Sequence, residues 1–454
     1  MTEPAALRPR LGSFDATMIV MGGIVGAGIF INPSVVARTV PSPWMILLAW
    51  ILGGAIALLG AFVYAELAVW RPSTGGQYVY LRDAYHPMVA FLYGWTLLLV
   101  IQTGGMAAAA MTFAVYAREL TATSLAAPVI AVLSLLVLTI VNCFGARAGS
   151  NLQSALMVTK IAAILVLVIL GWLALGNDVR TADSPAPGAR ESLPAFGAAM
   201  VPVLFAYGGW QTASFVSGEM RDPSRDLPRG LVIGVLAVIA LYLAVNLVCL
   251  AILGPAGLAA TTTPASRVMQ LALGETGARV IAAGIAVSTL GFLSQGMLTA
   301  PRVYFAMARD GLFFRGVGKA AAGSGAPVMA IALQGVWASV IALSGRYEQI
   351  LNYVVAIDAI FFGLTGAALL VFRARARRGH AASPSSGPRM PGHPATTILF
   401  VGAFWLLALS TIAQFPRSAG IGVVILLAGV PVFLLWRRAH APAAGAAPTA
   451  RGGG

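Results

Sequence analysis

Cysteine is nearly absent. Only Cys143 and Cys249 occur in 454 residues, and both lie inside apolar runs. A disulfide framework needs paired cysteines in oxidised loops, so none is expected. Histidine is as scarce: His380, His393 and His440 fall in polar loops and the tail, and His86 stands beside Pro87. That leaves no cluster spaced to ligate a metal, and neither a metal nor a cofactor is expected. No G-x-x-x-x-G-K-[ST] run is present, which argues against an ATP-driven pump. Without a His/Cys/Asp constellation an enzyme is a weak reading, and no catalytic residue is assigned.

Acidic residues are few as well: 15 Asp and Glu stand against 29 Lys and Arg, a formal charge of +14. In a soluble protein that excess would suggest nucleic acid. Here 59% of the residues are hydrophobic, 10% are charged, and the mean hydropathy is +0.86. A soluble chain of this length could not hide so much apolar surface, so the excess reads as topological charge on cytoplasmic loops. No nucleic-acid partner is expected; the surroundings are a lipid bilayer.

Apolar segments fall at roughly 14–39, 43–70, 84–117, 126–144, 149–175, 193–219, 229–254, 278–309, 327–344, 348–372, 394–414 and 418–436. They predict an all-α polytopic membrane protein of about twelve transmembrane helices. No small-residue cleavage site follows the first run, which reads as a retained helix rather than a signal peptide. An even number of spans puts both termini on one side. If that side is cytoplasmic, twenty of the 29 basic residues lie inside, eight outside, and Lys160 within a span. The bias predicts cytoplasmic termini in the plasma (cytoplasmic) membrane.

The chain divides into a tail (1–12), a first five-helix unit (13–175), an extracellular loop (176–192), an inverted second five-helix unit (193–372), a basic cytoplasmic linker (373–393), helices eleven and twelve (394–436), and a low-complexity tail (437–454) expected to be disordered. Punctuation adds detail. Asp226 reads as an N-cap before Pro228. Thr263, Pro264 and Gly274 delimit a short outer helix. Arg302 and Arg309 read as snorkelling side chains near the inner end of span eight. The alternating signs of "EMRDPSRDLPRG" (218–230 without its first glycine) predict an inner salt-bridge cluster.

Two spans are built to break. "MGGIVGAGIF" (21–30) carries four glycines inside the first, and "FAYGGW" (205–210) carries Gly208 and Gly209 inside the sixth. Glycine costs about 1 kcal/mol against alanine in a helix interior. The spans stand five apart, so the second unit is inverted, and matched broken helices in inverted halves point to a transporter's central site. Unpaired backbone groups are tolerated at that depth only where they line an enclosed cavity. Free amides suit a carboxylate and free carbonyls an ammonium. Close helix packing would explain a lone G-x-G; two symmetrically placed clusters favour a site.

These stretches, with "FVYAELAVWRPSTGGQYVYLRDAY" (62–85) and "YFAMARDG" (304–311), resemble the amino acid–polyamine–organocation superfamily, and within it the bacterial relatives of L-type amino acid transporters. The resemblance runs from about Phe14 to Arg373. It implies a LeuT-like five-plus-five inverted repeat with broken helices 1 and 6, plus helices 11 and 12, working by alternating access. It implies that the substrate carboxylate meets amides at Gly26, Ala27 and Gly28, and the amino group meets carbonyls near Ile24 and around Phe205, Ala206 and Gly208. Phe205 would be the aromatic gate, with Trp210 supporting the second half of span six or shaping the pocket. Ala27 departs from the serine of many relatives, leaving main-chain amides to hold the carboxylate. Animal L-type transporters pair with a heavy chain through a cysteine between helices three and four. The corresponding "RELTATSLAA" has none, so no disulfide-linked heavy chain is expected.

Charges within the spans complete the candidates. Lys160 lies about 15 Å into its helix counted from Ser150, where a lysine costs at least roughly 2.5–3.5 kcal/mol on insertion. By the resemblance it sits beside the first break in place of a sodium ion, as a tether or a proton carrier. Asp358 could cap broken backbone, assist proton coupling or line the pocket. Glu66 is expected to bond inner-gate backbone or an arginine, and Asp15 to be an N-terminal helix charge. The reading is a secondary active transporter of neutral amino acids, by exchange or proton-coupled symport. The alternatives are a cationic amino acid or polyamine carrier and, more remotely, an ion channel.

Overall fold

The computed structural model describes residue 7 and residues 9–40, 42–174, 192–344, 347–380, 384 and 387–439. The first part forms α1 (Ser13–Ile24), α2 (Gly28–Thr39), α3 (Pro43–Trp70), α4 (Gln77–Ala84), α5 (Pro87–Thr96), a π-helical turn (Leu97–Ile101), α6 (Gln102–Thr121), α7 (Ala127–Cys143) and α8 (Ala146–Ala174). The second forms α9 (Leu193–Ala206), a 3-10 helix (Trp210–Glu219), α10 (Pro223–Ala260), α11 (Pro264–Thr299), α12 (Pro301–Arg309), a 3-10 turn (Arg315–Gly318), α13 (Val328–Leu343) and α14 (Tyr347–Arg377). Then follow α15 (Ala395–Gln414) and α16 (Pro416–Ala439). Among the described residues there is no strand, only an isolated parallel bridge between Leu11 and Met220.

Nine helices among the described residues are long and apolar enough to cross a bilayer, and α1 with α2, bent by 42°, makes a tenth. The apolar α7 and α13 are shorter, at 17 and 16 residues. This is a multi-pass helical membrane protein. Of the expected loop (176–192) and tail (437–454), residues 176–191 and 440–454 lie outside the described residues, while 437–439 continue α16.

Helix packing follows the rule for membranes, in which small residues let helices approach and bulky ones face lipid. On α10, Gly230 lies against Ala16 and Gly234 against Val20, so α1 packs closely along it. On α3, Gly53 and Gly60 lie against Val203 and Trp210, while Trp44, Ile51 and Leu52 point outward.

Four local expectations need correction. Helix α10 starts at Pro223, a turn earlier than the sequence suggested, because that proline already supplies a helical φ at the first position. Asp226 is therefore inside the helix, and its carboxylate accepts hydrogen bonds from the Ser13 hydroxyl and, at 3.2 Å, the Asp222 amide. Thr263 precedes α11 as expected but makes no side-chain cap, while Gly274 does interrupt the helix with φ 65°. The salt-bridge cluster does not form: Glu219 pairs with Arg302, and Arg221, Asp222, Arg225, Asp226 and Arg229 make no ion pair among the described residues.

Arg302 does not snorkel. It is fully buried, its Nε donating to Glu219 Oε1 at 2.6 Å and its Nη2 to Oε2 at 3.3 Å. This pair belongs to a layer that closes the arginine-rich end of the bundle. There the Gly75 amide donates to Phe215 O at 3.0 Å, Ser217 donates to Ser73 O at 2.5 Å, and the Arg10 and Leu11 amides donate to Glu219 O. At its edge Asp310 accepts from Tyr78 at 2.8 Å and from Arg82 at 2.5 Å. Glu66 takes both parts of its expectation, binding the Arg373 guanidinium at 2.7 and 2.6 Å and the Met390 amide at 2.6 Å. Asp15 receives the Gly12 amide and the Ser150 hydroxyl.

Removing one partner of a buried ion pair strands the other charge, at a cost of about 3–5 kcal/mol. Glu219→Gln is therefore expected to lower the unfolding temperature of the purified protein substantially. Replacing both Glu219 and Arg302 with leucine should restore part of the loss. Unchanged thermal stability in Glu219→Gln would contradict the burial of this pair.

Candidate functional site

The two broken spans meet at mid-height. Helix α1 ends at Ile24, Val25 turns extended (φ −75°, ψ 96°), and α2 starts at Gly28. None of Gly22, Gly23, Gly26 and Gly28 has a positive φ. The glycines of the first break serve close approach instead: Gly22 lies under the Gln153 side chain, Gly23 against Gly209 backbone, and a methyl on Gly28 would stand 3.4 Å from Ala206 Cβ. The second break does need glycine conformation. Gly209 has φ 105°, ψ −15°, and hands the chain from α9 to the 3-10 helix.

Backbone satisfaction differs sharply between donors and acceptors. At the first break the carbonyls are occupied. Lys160 Nζ donates to Val25 O at 2.6 Å and reaches Gly22 O at 3.5 Å, Ser288 donates to Gly26 O at 3.3 Å, and the Tyr242 hydroxyl lies 3.0 Å from Ile24 O. The same hydroxyl lies 3.2 Å from Ala206 O of the other broken span. The amides of Gly26, Ala27 and Gly28 have no backbone or side-chain acceptor among the described residues. A helix start leaves such donors unsatisfied by construction. At the second break, Gly209 is satisfied locally: its amide donates to Gln211 Oε1 at 3.0 Å, and its carbonyl accepts from Thr212 Oγ1 at 2.6 Å.

These groups border a cavity of about 360 Å³. Its walls include Ile24, Gly26, Ala27, Gly28, Phe205, Ala206 and Gly208, so the structure brings all seven of those candidates together. Further lining comes from Gln102, Gly105 and Ala108 of α6, Phe292 and Gln295 of α11, and Asp358 and Phe362 of α14. Lining extends through Ile31 and Asn32 of α2 and Leu204 of α9 in one direction and through Gln211 and Thr212 of the 3-10 helix in the other. Phe205 is 42% exposed and stands in this wall.

The other candidates are placed differently. Trp210 is buried behind the break, edge-on to Tyr64 at 4.8 Å and tilted on Phe362 at 5.3 Å, and is not part of the cavity wall. Lys160, fully buried, also lies behind the wall, its tail against Gly291. Asp358 lines the cavity, half-buried, and its carboxylate has no hydrogen bond or ion pair among the described residues. Among those residues no group of three metal-ligating side chains occurs.

Sequence reasoning missed Tyr242, Ser288 and Gln295. Gln295 donates to the Thr212 hydroxyl, which in turn holds Gly209 O. Each is a polar group deep in an apolar run, and that expense was a usable signal.

The arrangement can hold a small zwitterion, with main-chain donors for an anionic group and a cavity of side-chain size beyond. Comparison with known proteins agrees. The chain is 31% identical over 441 residues to the serine/threonine exchanger SteT of Bacillus subtilis (strain 168), covering 95% of this chain and 98% of that protein. It is 30% identical over 450 residues to the human large neutral amino acids transporter small subunit 2, covering 95% and 81%. It is 28% identical over 450 residues to the mouse Asc-type amino acid transporter 1, covering 96% and 83%. Residues 11–435 match the family described as amino acid permease, and the chain belongs to that family.

Proposed function

We propose that the protein is a secondary active transporter that carries neutral amino acids across the cytoplasmic membrane by alternating access, with exchange as its mode. The observation that carries this reading is the row of free amides at Gly26, Ala27 and Gly28, facing a cavity shared by two broken helices. Those amides receive the carboxylate. The ammonium takes the second lone pair of Ile24 O or Ala206 O, beside the Tyr242 hydroxyl, together with carbonyls around Phe205 and Gly208. Phe205 closes over the bound molecule, and Trp210 supports the 3-10 helix from behind.

Packing supports the division into inverted units, 13–175 and 193–372. Helix α8, the fifth span, packs on α11, the eighth, and α14, the tenth, packs on α6, the third. With the arginine-rich end cytoplasmic, both termini face the cytoplasm and the cavity opens outward. Lys160 tethers the first break in the place of a bound cation. The segment between α6 and α7 has no cysteine, so the reading includes no disulfide-linked heavy chain. The reading assigns no enzymatic step.

Asp358 sets the preference for the substrate side chain. An acceptor in the wall without a partner favours a hydroxyl-bearing side chain, and a hydrogen bond to a charged group contributes about 1.5–3 kcal/mol. The experiment is uptake into proteoliposomes of a panel of labelled amino acids and amines, with and without internal substrate and a pH gradient. Saturable, stereoselective uptake that needs internal neutral amino acid is expected. Absence of any saturable uptake across the panel would overturn the assignment, and uptake driven by the pH gradient alone would replace exchange by proton symport. Asp358→Asn is expected to reduce serine and threonine uptake about tenfold relative to leucine. An unchanged ratio would remove Asp358 from selectivity.

A further inference from the structure

The exposed face of α10 carries an arrangement that lies outside the central cavity. Arg225, Arg229, Ile233 and Leu236 follow one another at helical spacing, four, four and three residues apart, and so share one stripe. The two arginines are exposed, and neither guanidinium has a hydrogen-bond or ion-pair partner among the described residues. Ile233 and Leu236, next along the stripe, are 54% and 47% exposed. Gly387 and Pro388 of the basic linker wall the other side, so the arginines and Ile233 line a groove of about 530 Å³.

Three physical points narrow what fits. Positive charge in the first two turns of a helix opposes its macrodipole, so these arginines do not serve the stability of α10. The nearby acids do not neutralise them: Asp226 is turned to Ser13 and the Asp222 amide, and Asp222, in the groove wall, pairs with neither arginine. Charge then gives way to exposed apolar surface within about 10 Å along the axis, a sequence a free anion would not need. A headgroup with acyl chains matches both parts.

We propose that this groove is a binding site for an anionic phospholipid, its phosphate held by Arg225 and Arg229 and its acyl chains lying along Ile233 and Leu236. Basic pockets beside membrane helices bind acidic headgroups in this way. The two guanidiniums form paired contacts with phosphate oxygens, and the linker segment at Gly387–Pro388 closes over the headgroup. The site therefore joins the linker to the helix that packs along α1.

The test uses the full chain, delipidated in detergent, with phosphatidylglycerol or phosphatidylcholine added and retained lipid counted by native mass spectrometry. Phosphatidylglycerol is expected to be retained about thirtyfold better than phosphatidylcholine, as two surface cations imply. Arg225→Gln with Arg229→Gln should erase that preference, whereas Arg315→Gln, outside the groove, should keep it. Equal retention of the two lipids by the unaltered protein would overturn the proposal even if the double variant failed to fold. So would a double variant that keeps the preference. Displacement of phosphatidylglycerol by millimolar inorganic phosphate would assign the groove to a soluble anion instead.

Discussion

Replacing Lys160 with methionine is expected to reduce transport by about 100-fold or more while leaving the protein inserted in the membrane. The side chain has no exposure, and its ammonium is the donor to Val25 O at 2.6 Å, with Gly22 O at 3.5 Å. Methionine keeps the volume and removes the donor, so the loss is confined to the held carbonyls. A charged hydrogen bond of this kind contributes about 1.5–3 kcal/mol, and the stranded carbonyl adds its own desolvation. The first break would then relax, and the amides of Gly26 to Gly28 would lose their common aim. Gly291 offers an independent handle, because a methyl there would stand on the lysine tail. Gly291→Ala is expected to produce a milder form of the same defect. Wild-type uptake by the methionine variant, at equal amounts of inserted protein, would remove Lys160 from the mechanism.

Gly209→Ala is expected to prevent recovery of folded, active protein. Its φ of 105° lies where side chains are strained by roughly 1–3 kcal/mol. A methyl there would also collide with the Gly23 carbonyl, which is backbone and cannot rotate away. The contact is reciprocal, since a methyl on Gly23 would stand 2.5 Å from Gly209 O. The two broken spans thus touch main chain to main chain. Gly197→Ala, in the same span and at a site where an added methyl meets nothing within 4 Å, is the control and should be neutral or slightly stabilising. Folded, transporting Gly209→Ala protein would show that this contact is dispensable.

Much of this architecture was legible because glycine and charge are expensive in a membrane. The apolar runs placed most of the helices, although α4 lies between two of them and α10 runs six residues further at each end, and the glycine clusters placed the breaks within a few residues. What the glycines do was less legible. A pattern of four in ten residues reads as a weakened helix, whereas in the fold those of the first span keep ordinary backbone and make room for Gln153, Gly209 and Ala206. That role depends on what stands opposite, which no local pattern records. The same reason hid the fate of Arg302. Its position near a helix end suggested a route to water, but Glu219, 83 residues away in sequence, meets it in the closed layer. Asp226 was misread through competition between two prolines for the helix start, and Pro223 won.

Tyr242 has one proton and two claimants, Ile24 O at 3.0 Å and Ala206 O at 3.2 Å. The half-helices bearing these carbonyls must shift against each other if the cavity is to change the side it faces. A dedicated bond across them would have to break before anything moved. A shared hydrogen needs no rupture: as one oxygen recedes the other takes a larger part, and the sum changes little along the path. Such a hydroxyl works as a bearing, keeping two moving parts in register while resisting neither.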